Sequence, residues 1–439
     1  MSILDENNFD KFITENTFTI DDENYKDEHI IKIKRDDELN IILNQEAATQ
    51  YKCLEMESNV INKLNVFDKI KTNYILKNVY FDSINKSSNL LFNTSKINAE
   101  AFVESIELVR ETYKVSQYIV EYIDNIPINY SLSDVIQKEI TNKNIISIGD
   151  IEIEKEESAS SGGSNGLILN IDNQEIYLIR KEEKSKKKYI DGFILYKGTP
   201  SQELRDKFRN VISFFIGRIL ILLEESFYDI DWNLISLKAF SPKKLMNGRA
   251  FKINTILPIQ YDYIIDSEKF SKHCNSLYQK YDLFDFTHLS WLYWHAQCSA
   301  LHTKCGEFGA TIEALQKAYI DNNIRGWSDA IISKDKFKEF KEKTIKVINE
   351  LDVKDEEKDI LKGKLGSLNK LPQKMTLEKL FKHLNYSINE EELKAWQGRN
   401  DSAHGKKDEN YSIEKTIRQI NLLQNIFYKL IRLIADIDR

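Results

Sequence analysis

Residues 396–405 read WQGRNDSAHG and set Arg399, Asn400, Asp401 and His404 within six positions. A guanidinium, a short amide and an imidazole suit cleavage of a phosphodiester. The first holds phosphoryl charge, the second orients, and the third moves a proton. On a helix, Asn400 lies one turn before His404, where its side chain can orient the ring. Five steps of about 100° place Arg399 roughly 140° around the helix from His404, so the two flank an edge rather than stack. Ala403, one turn after Arg399, leaves room for an approaching phosphate. Gly405, followed by Lys406 and Lys407, reads as the end of this helix, where the dipole favours the imidazolium. The same residues also fit a capped surface helix, so the surrounding elements must decide.

From about residue 268 onward the apolar spacing is helical. The candidate helices are 268–281, 286–304, 307–321, 334–351, 355–369, 376–384, 388–404 and 411–437. The last presents Ile413, Ile417, Ile420, Leu423, Ile426, Phe427, Leu430 and Leu433 on one broad face. The first half alternates instead. Residues 29–43 read as two strands around an Arg-Asp-Asp-Glu turn, 166–179 repeat the pattern around Asp172-Asn173, and 192–198 add a strand. Residues 156–166 read as a Ser/Gly loop, 181–188 as a charged hairpin tip and 249–259 as a β-like stretch. A helix is expected over 199–224, with Thr199 as N-cap, Pro200 at the first position and Gln202 completing a capping box. The expected class is α+β: a strand-rich mixed domain at 1–260, then an all-α bundle at 261–439.

The net charge of −7 is local. Residues 1–30 hold nine acids and two lysines, and the remaining residues carry 60 charges of each sign. No broad basic field marks tight, non-specific nucleic-acid binding, yet a local nucleic-acid contact is compatible with this balance. Four cysteines without C-x-x-C pairing fit a reducing compartment. The acidic amino terminus lacks a signal-peptide pattern, and the apolar run 211–223 is 13 residues long and interrupted by Arg218. A cytoplasmic protein is expected.

Walker A, G-x-G-x-x-G, H-E-x-x-H and G-x-S-x-G patterns are absent. His288, His295 and His302 recur every seven residues, too far apart along a helix to share one metal ion. A subset of His295, Cys298 and His302, with Cys274 or His273 from outside, is the zinc alternative, although its spacing matches no established framework. Packing and carbonyl partners are the plainer account of this face. No metal and no cofactor are expected.

"RNDSAHG" after a long helical series resembles the R-x4-6-H motif of HEPN-domain ribonucleases. The longer run 365–405 is similar to bacterial ApeA-type and abortive-infection HEPN proteins, and "FGATIEALQKAY" at 308–319 resembles an earlier helix of that family. The resemblance spans roughly 260–439; the N-terminal half is similar only in size, order and strand content. It implies an anti-phage endoribonuclease that leaves 2′,3′-cyclic phosphate and 5′-hydroxyl ends without metal. His404 is then general base or acid, Arg399 steadies phosphoryl charge, and Asn400 orients His404. Glu313 and Asp401 are supporting residues, Glu313 as a partner of the arginine or histidine. One motif supplies one histidine, so the resemblance also implies a homodimer or a dimer of dimers, with RNA as substrate. A phage-derived trigger at the N-terminal domain and no membrane partner complete the expectation. The alternatives are a non-catalytic HEPN module that binds nucleic acid or nucleotide, and a helical interaction protein with structural zinc.

Overall fold

The computed structural model describes residues 8–14, 16–20, 30–48, 60–89, 94–110, 115–127, 131–133, 136–140, 143–148, 151–155, 166–181, 191–242, 257–259, 264–323, 327–403 and 412–437. The architecture is α+β, strand-rich first and helical second. Two compact units divide the chain, Met1–Gln279 and Lys280–Arg439. The expected loop at 156–165, the hairpin tip at 182–188 and most of the 249–259 stretch lie outside the described residues.

In the first unit, six strands close into an antiparallel barrel. They are β1 (Thr17–Ile20), β2 (Ile30–Arg35), β3 (Ile41–Ala48), β4 (Val60–Phe67), β5 (Asn73–Asn89) and β6 (Thr94–Val109). Their circular order is β1-β2-β3-β6-β5-β4. Alternation explains the burial: Ile31 and Ile33 of β2 face the core while Lys32 and Lys34 face out. Asp36 turns the chain between β2 and β3 by accepting the Glu38 and Asn40 N–H groups at 2.9 and 2.8 Å. Phe9 and Ile13, from the segment before β1, are fully buried in the same core.

β6 is long enough to serve two sheets. One of its edges pairs with β3 over 96–103 and then with β16 (Leu234–Phe240) over 105–109. An open antiparallel sheet continues from there through β15 (Ile221–Tyr228), β7 (Tyr118–Asp124), β14 (Gly192–Lys197), β13 (Gln174–Arg180) and β12 (Gly166–Ile171). Ser241 sits at the changeover, where its hydroxyl donates to the Val103 carbonyl and accepts the Ile41 N–H. Asp172 and Asn173 join β12 to β13 with φ of 52° and 60°, the conformation a two-residue hairpin turn requires. A short β8 (Ser131–Leu132) pairs in parallel with β17 (Ile264–Ile265). A separate antiparallel sheet holds β9 (Ile136–Ile140), β10 (Lys143–Ile148) and β11 (Ile151–Lys155).

Helix α1 (Gln202–Ile216) is shorter than the 199–224 expected. Its N-cap is Ser201 rather than Thr199, because the Ser201 hydroxyl accepts the Leu204 N–H at 3.2 Å. At the other end Gly217 adopts φ 71°, and the Gly217 and Arg218 N–H groups donate to Phe214 and Ser213. That glycine cap stops the helix, and the β-branched and aliphatic run after it enters β15. Helix α2 (Ser267–Tyr278) begins at an Asp266 cap and belongs to the first unit, where it packs on β12 and α1. The compact first unit thus includes this helix.

The second unit contains α3 (Phe286–Cys298), α4 (Leu301–Asn323), α5 (Lys334–Glu350), α6 (Asp355–Leu365), α7 (Gln373–His383), α8 (Glu390–Ala403) and α9 (Ile413–Ile434). The break between α3 and α4 comes at Ser299–Ala300, not beside Gly306 as the expected helices placed it. Ser299 is extended with ψ 154° and its hydroxyl returns to the Ala296 carbonyl, ending α3 early. The core forms where α9 buries Leu423, Ile426, Phe427 and Leu430. Tyr293 of α3 stacks on Phe427 with centroids 5.3 Å apart, and its hydroxyl meets that of Tyr428 at 2.7 Å. Ile413 and Ile417, expected on the same face, are 58% and 45% exposed, so the first turns of α9 stand clear of that core. Among the described residues, no helix is long and apolar enough to cross a membrane.

Candidate functional site

Helix α8 carries the chemistry-bearing stretch. Asn389 caps it by accepting the Glu392 N–H at 2.8 Å, and the Glu392 carboxylate accepts the Asn389 N–H at 3.2 Å. This reciprocal cap and three glutamates in the first turn suit the positive end of the helix dipole. The buried Glu392 carboxylate also pairs with Lys429 of α9. Burial alone would lower Lys429, but hydrogen bonds to Glu392 and Tyr386 raise it above the usual lysine range. Trp396 is fully buried and donates its indole N–H to the Gln373 carbonyl at 3.3 Å, which ties α8 to the start of α7.

Arg399 follows one turn later and is 5% exposed. Its guanidinium lies 3.6 Å from the Trp396 ring centroid, and its Nη1 donates to the Trp396 carbonyl at 2.7 Å. Its Nη2 pairs with the Glu313 carboxylate of α4. The Glu313 side chain is 42% exposed, so the far side of the ion pair reaches solvent. Gly309, one turn before Glu313, makes this possible. A Cβ built there would lie 2.5 Å from the Arg399 Cδ. The arginine stem occupies the volume that any larger residue at 309 would take.

Arg399 and Glu313 are thus brought together. The α8 backbone stays helical through Asn400, Asp401 and Ala403, while His404, Gly405, Lys406 and Lys407 lie outside the described residues. Spacing placed Arg399 on an edge, but nothing in it marked Trp396 as the stacking partner or Gly309 as the glycine that makes room. A glycine among apolar residues of a helix, four positions before an acid, was the available signal for Gly309.

The histidine array is divided between α3, which carries His288 and His295, and α4, which carries His302. Trp291 is 54% exposed, with the His288 ring 6.1 Å away and nearly parallel, and the His295 ring at 4.0 Å. Cys305 is buried in the second unit, whereas His273 and Cys274 are buried in the first. Burial pushes the Cys274 thiol well above its usual range. Among the described residues, no group of three or more His, Cys, Asp or Glu side chains is arranged to hold a metal ion. A cavity of about 220 Å³ in this unit is lined by Lys280, Tyr319, His383, Asn385 and Asp436, none of them from the 399–404 stretch.

Compared with protein-family models, with curated proteins and with solved structures, the chain matches none.

Proposed function

We propose that the chain is a metal-independent endoribonuclease of the HEPN kind, acting in the cytoplasm in defence against phage. The observation that supports this reading most is the placement of Arg399. Its guanidinium is pinned by a ring, a carbonyl and a carboxylate in the last described turns of α8, five residues before His404 in sequence. A cation fixed in this way needs no reorganisation when charge builds on a phosphoryl group.

In the proposed reaction, His404 takes the proton of a ribose 2′-hydroxyl. The 2′-oxygen forms a bond to phosphorus, the bond from phosphorus to the 5′-oxygen breaks, and that oxygen takes a proton from a second acid. Arg399 offers remaining donors to the non-bridging oxygens while Glu313 keeps hold of one side of the guanidinium. Asn400 orients His404, and Asp401 supports the end of the helix. The second acid is His404 of another copy, so the complete site needs at least a dimer. The barrel and sheet of the first unit are the proposed receiver of a phage-derived trigger.

One observation favours a second reading. At 5% exposure, Arg399 also fits a structural tie between α4 and α8 in a non-catalytic module that binds nucleic acid or nucleotide. Purified chain incubated with total RNA in excess chelator, wild type beside His404→Ala, separates the two. The proposal expects 2′,3′-cyclic phosphate ends from the wild type alone. Intact RNA, cleavage that needs added magnesium, or equal cleavage by His404→Ala would sink it.

A further inference from the structure

The α5–α6 hairpin stands apart from the rest of the second unit. Among the residues of α5 only Ile348 is buried, and among those of α6 only Leu365. By contrast, Phe340, Val347, Leu351, Ile360 and Leu361 are 40 to 59% exposed. The base is nonetheless firmly built. The Ile331 N–H donates to the Asn369 carbonyl at 3.1 Å and the Leu371 N–H to the Asp329 carbonyl at 2.6 Å. The Asn369 side chain further bonds both the N–H and the carbonyl of Ile332, at 2.9 and 3.0 Å. At the tip, Lys358 donates to the Asn349 carbonyl at 3.1 Å. This is an ordered arm with an uncovered apolar surface.

That surface lies on one side of the arm. Counting about 100° per residue from Ile348, the one buried residue of α5, Phe340, Val347 and Leu351 fall roughly 60–100° to one side. Counting likewise from Leu365, Leu361 and Ile360 fall about 40° and 140° in the same rotational sense. In an antiparallel pair, the same sense of rotation is the same face of the hairpin. The charges on the arm are also sorted along its length. Residues 344–359, at the tip, carry six carboxylates and three lysines, whereas 334–343 and 360–370, toward the base, carry eight lysines and three carboxylates. On the apolar side, Lys336 and Lys364 mark the base and Glu357, with Glu350 at its edge, marks the tip.

An apolar face with a basic base and an acidic tip is complementary to itself when turned end for end. We propose that this face pairs with the same face of a second copy of the chain about a two-fold axis crossing the middle of the hairpin. Tip carboxylates of each copy then meet base lysines of the other, and the apolar residues form the centre of a four-helix bundle. A face about 25 Å long and two helices wide gives on the order of 1,000 Å² for the pair, near the lower limit for a specific interface. The association is therefore reversible and sensitive to salt. This inference does not depend on the ribonuclease reading, since it concerns a surface and not a reaction.

Sedimentation velocity on the full chain into the micromolar range tests it, with circular dichroism to follow the fold. Wild type should show a concentration-dependent association step that doubles its mass. Val347→Glu, on an already exposed position, should weaken pairing by about tenfold or more, because a charge placed in a desolvated centre is unpaired. Two further variants check geometry as well as attraction. Lys336→Glu with Lys364→Glu makes both ends acidic, and Glu350→Lys with Glu357→Lys makes both ends basic. Each alone should lack that association step, and equal amounts mixed should regain it with both variants in one species. A wild type without a mass-doubling step overturns the proposal, as does a step indifferent to Val347→Glu, or a mixture that fails to pair while both variants keep wild-type helix content.

Discussion

Arg205 in the first unit and Arg399 in the second are both buried arginines on helices, and they are held in opposite ways. Arg205 reaches from α1 to the sheet. Its Nε donates to Glu121 at 2.9 Å, its Nη2 to Glu225 at 2.5 Å and its Nη1 to the Pro200 carbonyl at 2.8 Å. Both carboxylates are themselves buried, and Glu121 also accepts from Arg209 at 2.6 Å and from the Tyr196 hydroxyl at 3.1 Å. Burial alone would lower Arg205, but Glu121 and Glu225 outweigh it and raise the guanidinium above its usual range. Among the described residues Arg399 has instead one carboxylate, and that one is 42% exposed. A closed network of buried charges fixes how a helix sits on a sheet. A buried cation whose counter-charge reaches solvent is a group that a ligand can approach.

The largest expected effects test this contrast directly. Arg205→Ala leaves Glu225 buried without the arginine that pairs it, and should cost about 3–5 kcal/mol of stability, read as a fall in the denaturant midpoint. Arg399→Ala should lower RNA cleavage about 10²–10⁴-fold while the fold survives. If Arg399→Ala unfolds the chain as Arg205→Ala does, the two arginines are alike and the catalytic role falls.

Next in size is Gly309→Ala. The new methyl would lie 2.5 Å from the Arg399 Cδ, so the arginine stem must move. A shift of about 1 Å in a positioned group can cost about 10²-fold in rate, while overpacking costs about 1–3 kcal/mol, partly offset by the better helix propensity of alanine. Cleavage should therefore fall by far more than stability does. Matched losses, both small, would mean that the position of Arg399 is not tuned.

The helices of the second unit were legible because their apolar residues recur at helical spacing, and the starts and stops were read to within about four residues, except at the α3–α4 break, which was placed six residues late. The hairpin at Asp172-Asn173 was legible from its turn chemistry. Closure of the barrel was not, since the β1–β4 and β3–β6 pairings join strands far apart in sequence and no local pattern encodes them. The end of α1 was missed because Gly217 lies inside an apolar run that reads equally well as helix; only its positive φ shows the stop. Glu313 entered through the family resemblance, since its partner is 86 residues away. For 334–365, an amphipathic pattern looks the same whether its own chain or another covers it.

A smaller effect concerns Glu224, in the first unit. This fully buried carboxylate accepts the Asn8 and Phe9 N–H groups at 3.1 and 3.0 Å and the Ser226 hydroxyl at 2.7 Å. Burial raises it above the ordinary 4.5, against the pull of those hydrogen bonds and of Arg35. Because the folded chain holds this proton more tightly than the unfolded chain, the contribution is fully present below about 4.5 and is lost as pH rises through the raised value. Glu224→Gln cannot titrate, so the wild-type-minus-variant difference in unfolding free energy should decline as pH rises above 4.5 and then level off. A difference that grows with pH would reverse the assignment.

Gly398, one residue before Arg399, provides the smallest effect and the finest control. A Cβ built there would lie 2.9 Å from the Gln419 Nε2, the far end of a flexible side chain that donates to the Ala395 carbonyl at 3.1 Å. The amide can swing aside, at the cost of one hydrogen bond worth about 0.5–1.5 kcal/mol. Alanine in place of glycine within a helix returns roughly 0.5–1 kcal/mol. The two nearly cancel, so Gly398→Ala should shift stability by under about 0.5 kcal/mol and leave cleavage within a few-fold of wild type. Both glycines take the same substitution near the same arginine, but only Gly309 abuts a side chain pinned at its far end by a ring, a carbonyl and a carboxylate. If Gly398→Ala lowers cleavage as much as Gly309→Ala, the rate responds to any disturbance of α8, and the tight contact at Gly309 has no special part in placing Arg399.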